Sequence, residues 1–135
     1  MEIAIPVERT LTELDHVRLT RLLRELPASA GTTLQDLLES SDVVAPPAVA
    51  PTVVTMYTQL LLHGPNGAPT RLTLCYPEDA EPALGFISVL SPVGTGLLGR
   101  RAGETVRWVL PDGGEASARI LAVLFQPEAC GDYET

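Results

Sequence analysis

The spacing of apolar positions changes once along the chain, near residue 45. From Leu11 to Leu26 leucines stand at 11, 14, 19, 22, 23 and 26, with Val17 nearby, and Arg18, Arg21, Arg24 and Glu25 fall between them. This recurrence predicts one amphipathic helix. Thr10 and Glu13 have capping-box spacing, in which each side chain satisfies an orphan amide at the helix start. Pro27 is expected to stop the helix, and residues 28–31 to turn the chain. A second helix is predicted from Thr32 or Thr33, with Gln35 and Asp36 helping its cap and Leu34, Leu37 and Leu38 as its apolar edge. So short a joint folds two helices back as an antiparallel hairpin.

Residues 45–51 read APPAVAP, and three prolines in that span cannot continue a helix. A stiff, extended strap is the expectation. Beyond it the period becomes that of strands. Val53–His63 is β-branched and apolar, Gly64-Pro65-Asn66-Gly67 is a turn signal, and Arg71–Tyr76 alternates in the manner of a hairpin partner. Phe86–Leu90 reads as a short strand, and Ser91–Gly99 as a helical turn or two opening at Pro92. Thr105–Leu110 and Ala116–Phe125 read as two more strands, turned by Pro111-Asp112-Gly113-Gly114. The expected fold class is α+β: a helical hairpin in residues 1–44, a strap in 45–52, and a twisted antiparallel sheet with one short helix in 53–135.

Composition narrows what such a fold does. Aromatic residues make up only 4% of the 135-residue chain, which argues against a surface that reads bases by stacking. The net charge is −8, shared evenly at −4 on each side of residue 51, so a phosphate backbone is repelled and a basic protein surface is favoured. Cys75 and Cys130 lack CxxC spacing and fit a reducing cytoplasm; Cys75 sits in an apolar run as a small core residue. The first residues have no basic start or apolar run of a secretory signal, and no stretch approaches the roughly 20 apolar residues of a membrane span. A cytoplasmic protein is expected.

The stretch from Ser88 to Tyr133 resembles the C-terminal domain of the Gre-factor family. It holds a strand, then Ser91-Pro92, a small-residue turn closing in Leu97-Leu98-Gly99, the strand signal Gly103-Glu104-Thr105-Val106, a Pro-x-Gly turn and a last strand. Entry through Val53-Val54-Thr55-Met56, the run Pro92-Val93-Gly94, and an end reading Gln126-Pro127-Glu128-Ala129 with Gly131-Asp132-Tyr133 are similar to the branch called regulators of nucleoside diphosphate kinase. The resemblance implies a C-terminal domain of the FK506-binding-protein type. It further implies docking on RNA polymerase, at the β′ subunit coiled coil that rims the secondary channel. The residues it places in that contact are Leu90, Ser91, Pro92, Val93, Gly94, Leu97, Arg100 and Arg101. Gre factors often carry a polar or acidic residue just before Ser-Pro; Leu90 stands there in this chain, which implies a more apolar contact.

Gre factors also carry acidic residues at the hairpin tip that help hold a catalytic Mg²⁺, a task suited to carboxylate oxygens. The corresponding turn, Leu26 to Thr32, contains no acid. Asp36 and Glu39 share a helix face below the tip, where solvation explains them. A 16-residue helix reaches only about 24 Å, shorter than the Gre hairpins. The expectation is a protein that binds polymerase, cleaves no transcript and competes with longer relatives, without cofactor, metal, membrane, direct nucleic-acid or small-molecule partner.

Other readings rest on less. His16 and His63 have no clustered acids or cysteines and are expected at the surface. Ser91 has no histidine near it in sequence and no nucleophile elbow around it. Arg100-Arg101 is either a contact for an acidic patch or a solvated pair; Trp108 is expected in the core; the valines from Val43 to Val49 either pack the strap on the sheet or form an exposed edge. A prolyl isomerase on the same fold would need an aromatic pocket that one Trp, two Phe and three Tyr supply poorly. Direct regulation of nucleoside diphosphate kinase is the third class of function that the resemblance allows.

Overall fold

A computed structural model describes residues 9–27, 32–64 and 67–131. The expected turns at residues 28–31 and at Pro65-Asn66 lie outside them, as do the first eight residues and Asp132-Tyr133. Strand β1 (Thr10–Thr12) leads into helix α1 (Glu13–Arg24), and helix α2 (Thr32–Ser40) leads into strand β2 (Asp42–Val44). The two short strands pair in parallel, with Thr10 opposite Asp42 and Thr12 opposite Val44. Because Thr10 is committed to that strand, the N-cap of α1 is Thr12, whose hydroxyl accepts from the Asp15 amide at 3.1 Å. The capping pair Thr10–Glu13 is thus replaced by Thr12–Asp15. Helix α1 ends before Pro27, its last turn closed by Glu25 and Leu26 amides on the Leu22 and Leu23 carbonyls. Its flank packs on α2, and the His16 ring is 3.1 Å from the Leu38 carbonyl, half-buried rather than at the surface.

The proline segment is only partly extended, since Pro46–Ala48 winds into a turn of 3₁₀ helix. Val49 is buried while Val43 stays exposed, so only the end of the segment packs inward. Two 2.8 Å hydrogen bonds from the Gln126 side-chain amide to the Ala50 and Val53 carbonyls fasten the segment to the end of the sheet.

Five strands follow, β3 (Gln59–His63), β4 (Thr70–Cys75), β5 (Phe86–Ser88), β6 (Thr105–Val109) and β7 (Glu115–Phe125), in the order β5-β4-β3-β7-β6. Two expectations need correction. The first strand begins at Gln59 rather than Val53, because Tyr57 takes a left-handed φ of 64° and breaks the extended run. The sheet is mixed rather than antiparallel. Two turns of 3₁₀ helix, Pro77–Asp79 and Pro82–Leu84, carry the chain back so that β5 runs parallel to β4, Thr73 opposite Phe86. The other pairings are antiparallel.

One sheet face is covered and the other is not. Leu60, Leu62, Leu72, Leu74, Val106, Ala118 and Ile120 are buried on the covered face, in one cluster with Leu11 of β1, Leu19 of α1, Leu34, Leu37 and Leu38 of α2, and Leu97 and Leu98. Burial of a leucine is worth about 1.5–3 kcal/mol, so the helices and the sheet stabilise each other through this cluster. Trp108 packs against it while half-exposed. Among the described residues no helix is long and apolar enough to cross a membrane.

Candidate functional site

The segment after β5 forms a braced loop. Ser91 is its pivot: the hydroxyl donates to the Ser88 carbonyl at 2.7 Å and accepts from the Gly94 amide at 3.1 Å, capping helix α3 (Pro92–Leu97). Pro92 occupies the first turn, where its missing N–H costs nothing. The Thr95 hydroxyl donates to the Val89 carbonyl at 2.6 Å and holds the helix to the preceding chain.

The residues expected to contact a partner separate into two groups. Pro92 and Arg101 are exposed, and Leu90, Ser91 and Val93 are half-buried. Gly94, Leu97 and Arg100 lie inside. Leu97 belongs to the core, and Arg100 donates to the Thr105 carbonyl at 3.0 Å with Glu104 at 3.5 Å from its Nε. Those three support the loop from beneath, and the pair Arg100-Arg101 is split between interior and surface.

Arg9 was not visible as a site residue in the sequence. Its guanidinium donates to the Thr95 and Leu98 carbonyls at 2.7 and 2.8 Å, satisfying the orphan acceptors at the end of α3. Burial, and secondarily Arg100, lowers its pKa to about 10, with Glu104 opposing, so it stays charged at neutral pH. Thr10 adds a 3.1 Å amide bond to the Gly99 carbonyl. The strand that starts α1 is therefore clasped to the end of the loop helix. Arg9→Ala is expected to lower stability by about 2 kcal/mol, as for lost charge-assisted hydrogen bonds, with Arg9→Lys recovering little of it because one ammonium cannot span both carbonyls. Urea denaturation of the two variants measures this.

Beside the loop lies a cleft of about 500 Å³ bounded by Thr33 and Leu34 of α2, Leu90 and Pro92, and Trp108 and Val109 of β6. Among the described residues, Trp108 is its one aromatic side chain. Among the described residues no three His, Cys, Asp or Glu side chains gather closely enough to hold a metal ion.

A second polar junction lies where α1 meets the chain before β3. Asp15 is 2% exposed and accepts from the Met56 amide at 3.1 Å. Burial raises its pKa to about 6 and Glu128 adds to the rise, while the Met56 and Thr12 hydrogen bonds and Arg18 oppose it. Nearby, the Tyr57 hydroxyl donates to Asp79 at 2.6 Å, and the Tyr57 and Tyr76 rings sit 5.7 Å apart, tilted. Burial pushes both phenols up, as it does the Cys75 thiol, which is an inert core group as expected.

Residues 49–125, which include this loop, match the family described as "Transcription elongation factor, GreA/GreB, C-term". The regulator of nucleoside diphosphate kinase of Escherichia coli K12 is 34% identical over 128 residues, covering 91% of this chain and 93% of that protein. Transcription elongation factor GreA of Desulfovibrio desulfuricans is 39% identical over 61 residues, 45% of this chain but only 37% of that longer protein. In structure, a prokaryotic transcription elongation factor GreA/GreB from Nitrosomonas europaea superposes with a TM-score of 0.75 at 34% identity, covering 89% of this chain and all of that one. These relatives bear the names of regulators and transcription factors. The chain belongs to the GreA/GreB family through residues 49–125, and resembles the regulators of nucleoside diphosphate kinase over nearly its whole length.

Proposed function

We propose that the protein is a transcription regulator that docks on RNA polymerase at the secondary-channel entrance, against the β′ coiled coil, and does not cleave transcripts. The observation that carries this reading is the braced turn of Leu90–Val93 inside the family-matched segment, with Pro92 held out to solvent by a capped helix. A rigid apolar protrusion loses little entropy on binding. With no acid between Leu26 and Thr32, the helices supply no Mg²⁺-holding group at their joint. In this reading the helical pair is a short hairpin on an FK506-binding-protein-like domain, and it occupies the entrance that longer relatives also use.

Fluorescence anisotropy with core RNA polymerase tests it. Binding at micromolar concentration is expected, with loss on deleting the rim coiled coil and weakening of roughly tenfold in Pro92→Ala, Val93→Ser, the range of a contact worth about 1.4 kcal/mol. Leu97 is unsuitable for this test because it is core. No binding to the intact enzyme would reject the reading. A second reading, direct action on nucleoside diphosphate kinase, is favoured by the 34% identity to a regulator of that name. It predicts a complex with the purified kinase that survives the loop substitutions.

A further inference from the structure

The uncovered face of the sheet is unusual for a chain of charge −8. Arg71 of β4, His63 of β3, Arg119 of β7 and Arg107 of β6 are all exposed, and the strand register sets them on one face in a diagonal. His63 is directly opposite Arg119; Arg71 pairs with Leu61, two residues from His63; Arg107 pairs with Ser117, two residues from Arg119. Direct and diagonal neighbours in a sheet lie within about 5–8 Å. Among the described residues, none of these three arginines has an ion pair or side-chain hydrogen bond. Among the described residues the acids on this face are Glu115, at the far end opposite Val109, and Glu81, bridged to Phe86 at the opposite edge, and the nearby Glu104 is already held by Arg100 and the Arg101 amide. Arginines at diagonal positions gain nothing from one another, and none here is offset by a partner, so folding does not account for the arrangement.

Apolar side chains adjoin the diagonal for a definite reason. The register between β3 and β7 slips twice: Leu62 and Leu61 face Ile120 and Ala122, and Leu60 and Gln59 face Val123 and Phe125. Leu121 and Leu124 therefore have no partner in β3, and both are exposed, as is Phe125, at 43%, 42% and 45%. Bulges of this kind re-aim side chains and recur beside binding sites. Helix α3 and the core lie on the opposite side of the sheet; Arg107, on the edge strand, also lines the cleft beside Pro92, so it is a partner centred on Arg71, Arg119, Leu121 and Leu124 that leaves the Pro92 loop free.

We infer that the outer face of the sheet, from Arg71 across Arg119 to Arg107 with Leu121, Leu124 and Phe125, is a second interaction surface that takes an acidic, leucine-rich type of protein segment. Unneutralised guanidiniums call for carboxylates, which they bind in planar, two-point fashion. The aliphatic part of the patch calls for aliphatic side chains. Nucleic acid fits less well, because its whole backbone is repelled by a chain of charge −8.

The test is anisotropy of a labelled peptide of mixed glutamate and leucine, run beside a polyglutamate peptide and a single-stranded oligonucleotide. Saturable binding of the mixed peptide is expected, weakening as salt rises past the roughly 0.1 M at which exposed charges are screened within about 10 Å. Arg71→Thr, Arg119→Thr, at exposed strand positions that threonine suits, should weaken it about tenfold or more with the thermal midpoint retained. Leu121→Ser, Leu124→Ser should weaken it independently, while Pro92→Ala should not. No saturable peptide binding, binding indifferent to the arginine substitutions, or tighter binding of the oligonucleotide at equal salt would each overturn the inference.

Discussion

Gly94→Ala is expected to be the most damaging single-methyl substitution in the loop from Ser88 to Leu98, costing roughly 3–5 kcal/mol. Gly94 is buried in α3, and a Cβ there would overlap the carbonyl oxygen of Ser88, with Ser91 Oγ 3.0 Å away. Neither neighbour can yield cheaply. The Ser88 carbonyl accepts both the Ser91 amide at 3.0 Å and the Ser91 hydroxyl at 2.7 Å, so displacing it undoes the cap of α3. Alanine gains about 1 kcal/mol over glycine in a helix interior, which the overlap outweighs. Gly96, two residues on, is the control. Its added Cβ would meet only the Arg107 carbonyl oxygen at 3.6 Å, an ordinary contact. Gly96→Ala should therefore be neutral within about 1 kcal/mol or slightly stabilising. Thermal denaturation separates the two: a fall of roughly 10–20 °C for Gly94→Ala against little change for Gly96→Ala. Equal midpoints would mean that α3 does not seat on Ser88 as described.

The contrast between these glycines was invisible in the run Pro92-Val93-Gly94-Thr95-Gly96, where both serve equally as small residues. What could be read locally was read well. Alternation through Leu72 and Leu74 marked one strand, because period 2 is imposed wherever a sheet covers a core, and the β-branched, apolar run ending at His63 marked its hairpin partner. The Ser-Pro start and the leucine pair located α3 for the same local reason. Features decided by distant partners were missed. In the parallel pairs β1–β2 and β4–β5, strands β1, β2 and β5 are three residues long, too short to show how they pair, and their direction is set by the path between them. The bulges at Leu121 and Leu124 exist only relative to β3. Arg9 is bonded to carbonyls some ninety residues away, and nothing beside it announces that role.

Asp15 is different, since its sequence did carry a sign. It stands in step with Leu11 and Leu19 at intervals of four, on the apolar stripe of a helix whose other charges lie off it. The stripe buries it against the Met56 amide, and a buried carboxyl whose pKa rises from 3.8 to about 6 binds its proton more tightly when folded than unfolded. The sign follows directly. The contribution of this group to stability is complete below pH 3.8, and it is lost as pH rises through 6. At neutral pH the folded protein bears the cost of a buried carboxylate, about 3 kcal/mol relative to the protonated form. Asp15→Asn keeps an oxygen for the Met56 amide without the charge. The variant should therefore be the more stable protein at pH 7.5 relative to its position at low pH. The stability of the wild type minus that of Asp15→Asn should rise by about 1.4 kcal/mol on going from pH 7.5 to 5, approaching about 3 near pH 3. Urea titrations of both proteins at each pH measure that difference, in which carboxylates common to the two cancel. A constant difference would place Asp15 in contact with water, and the junction between α1 and the chain before β3 would then be open rather than sealed.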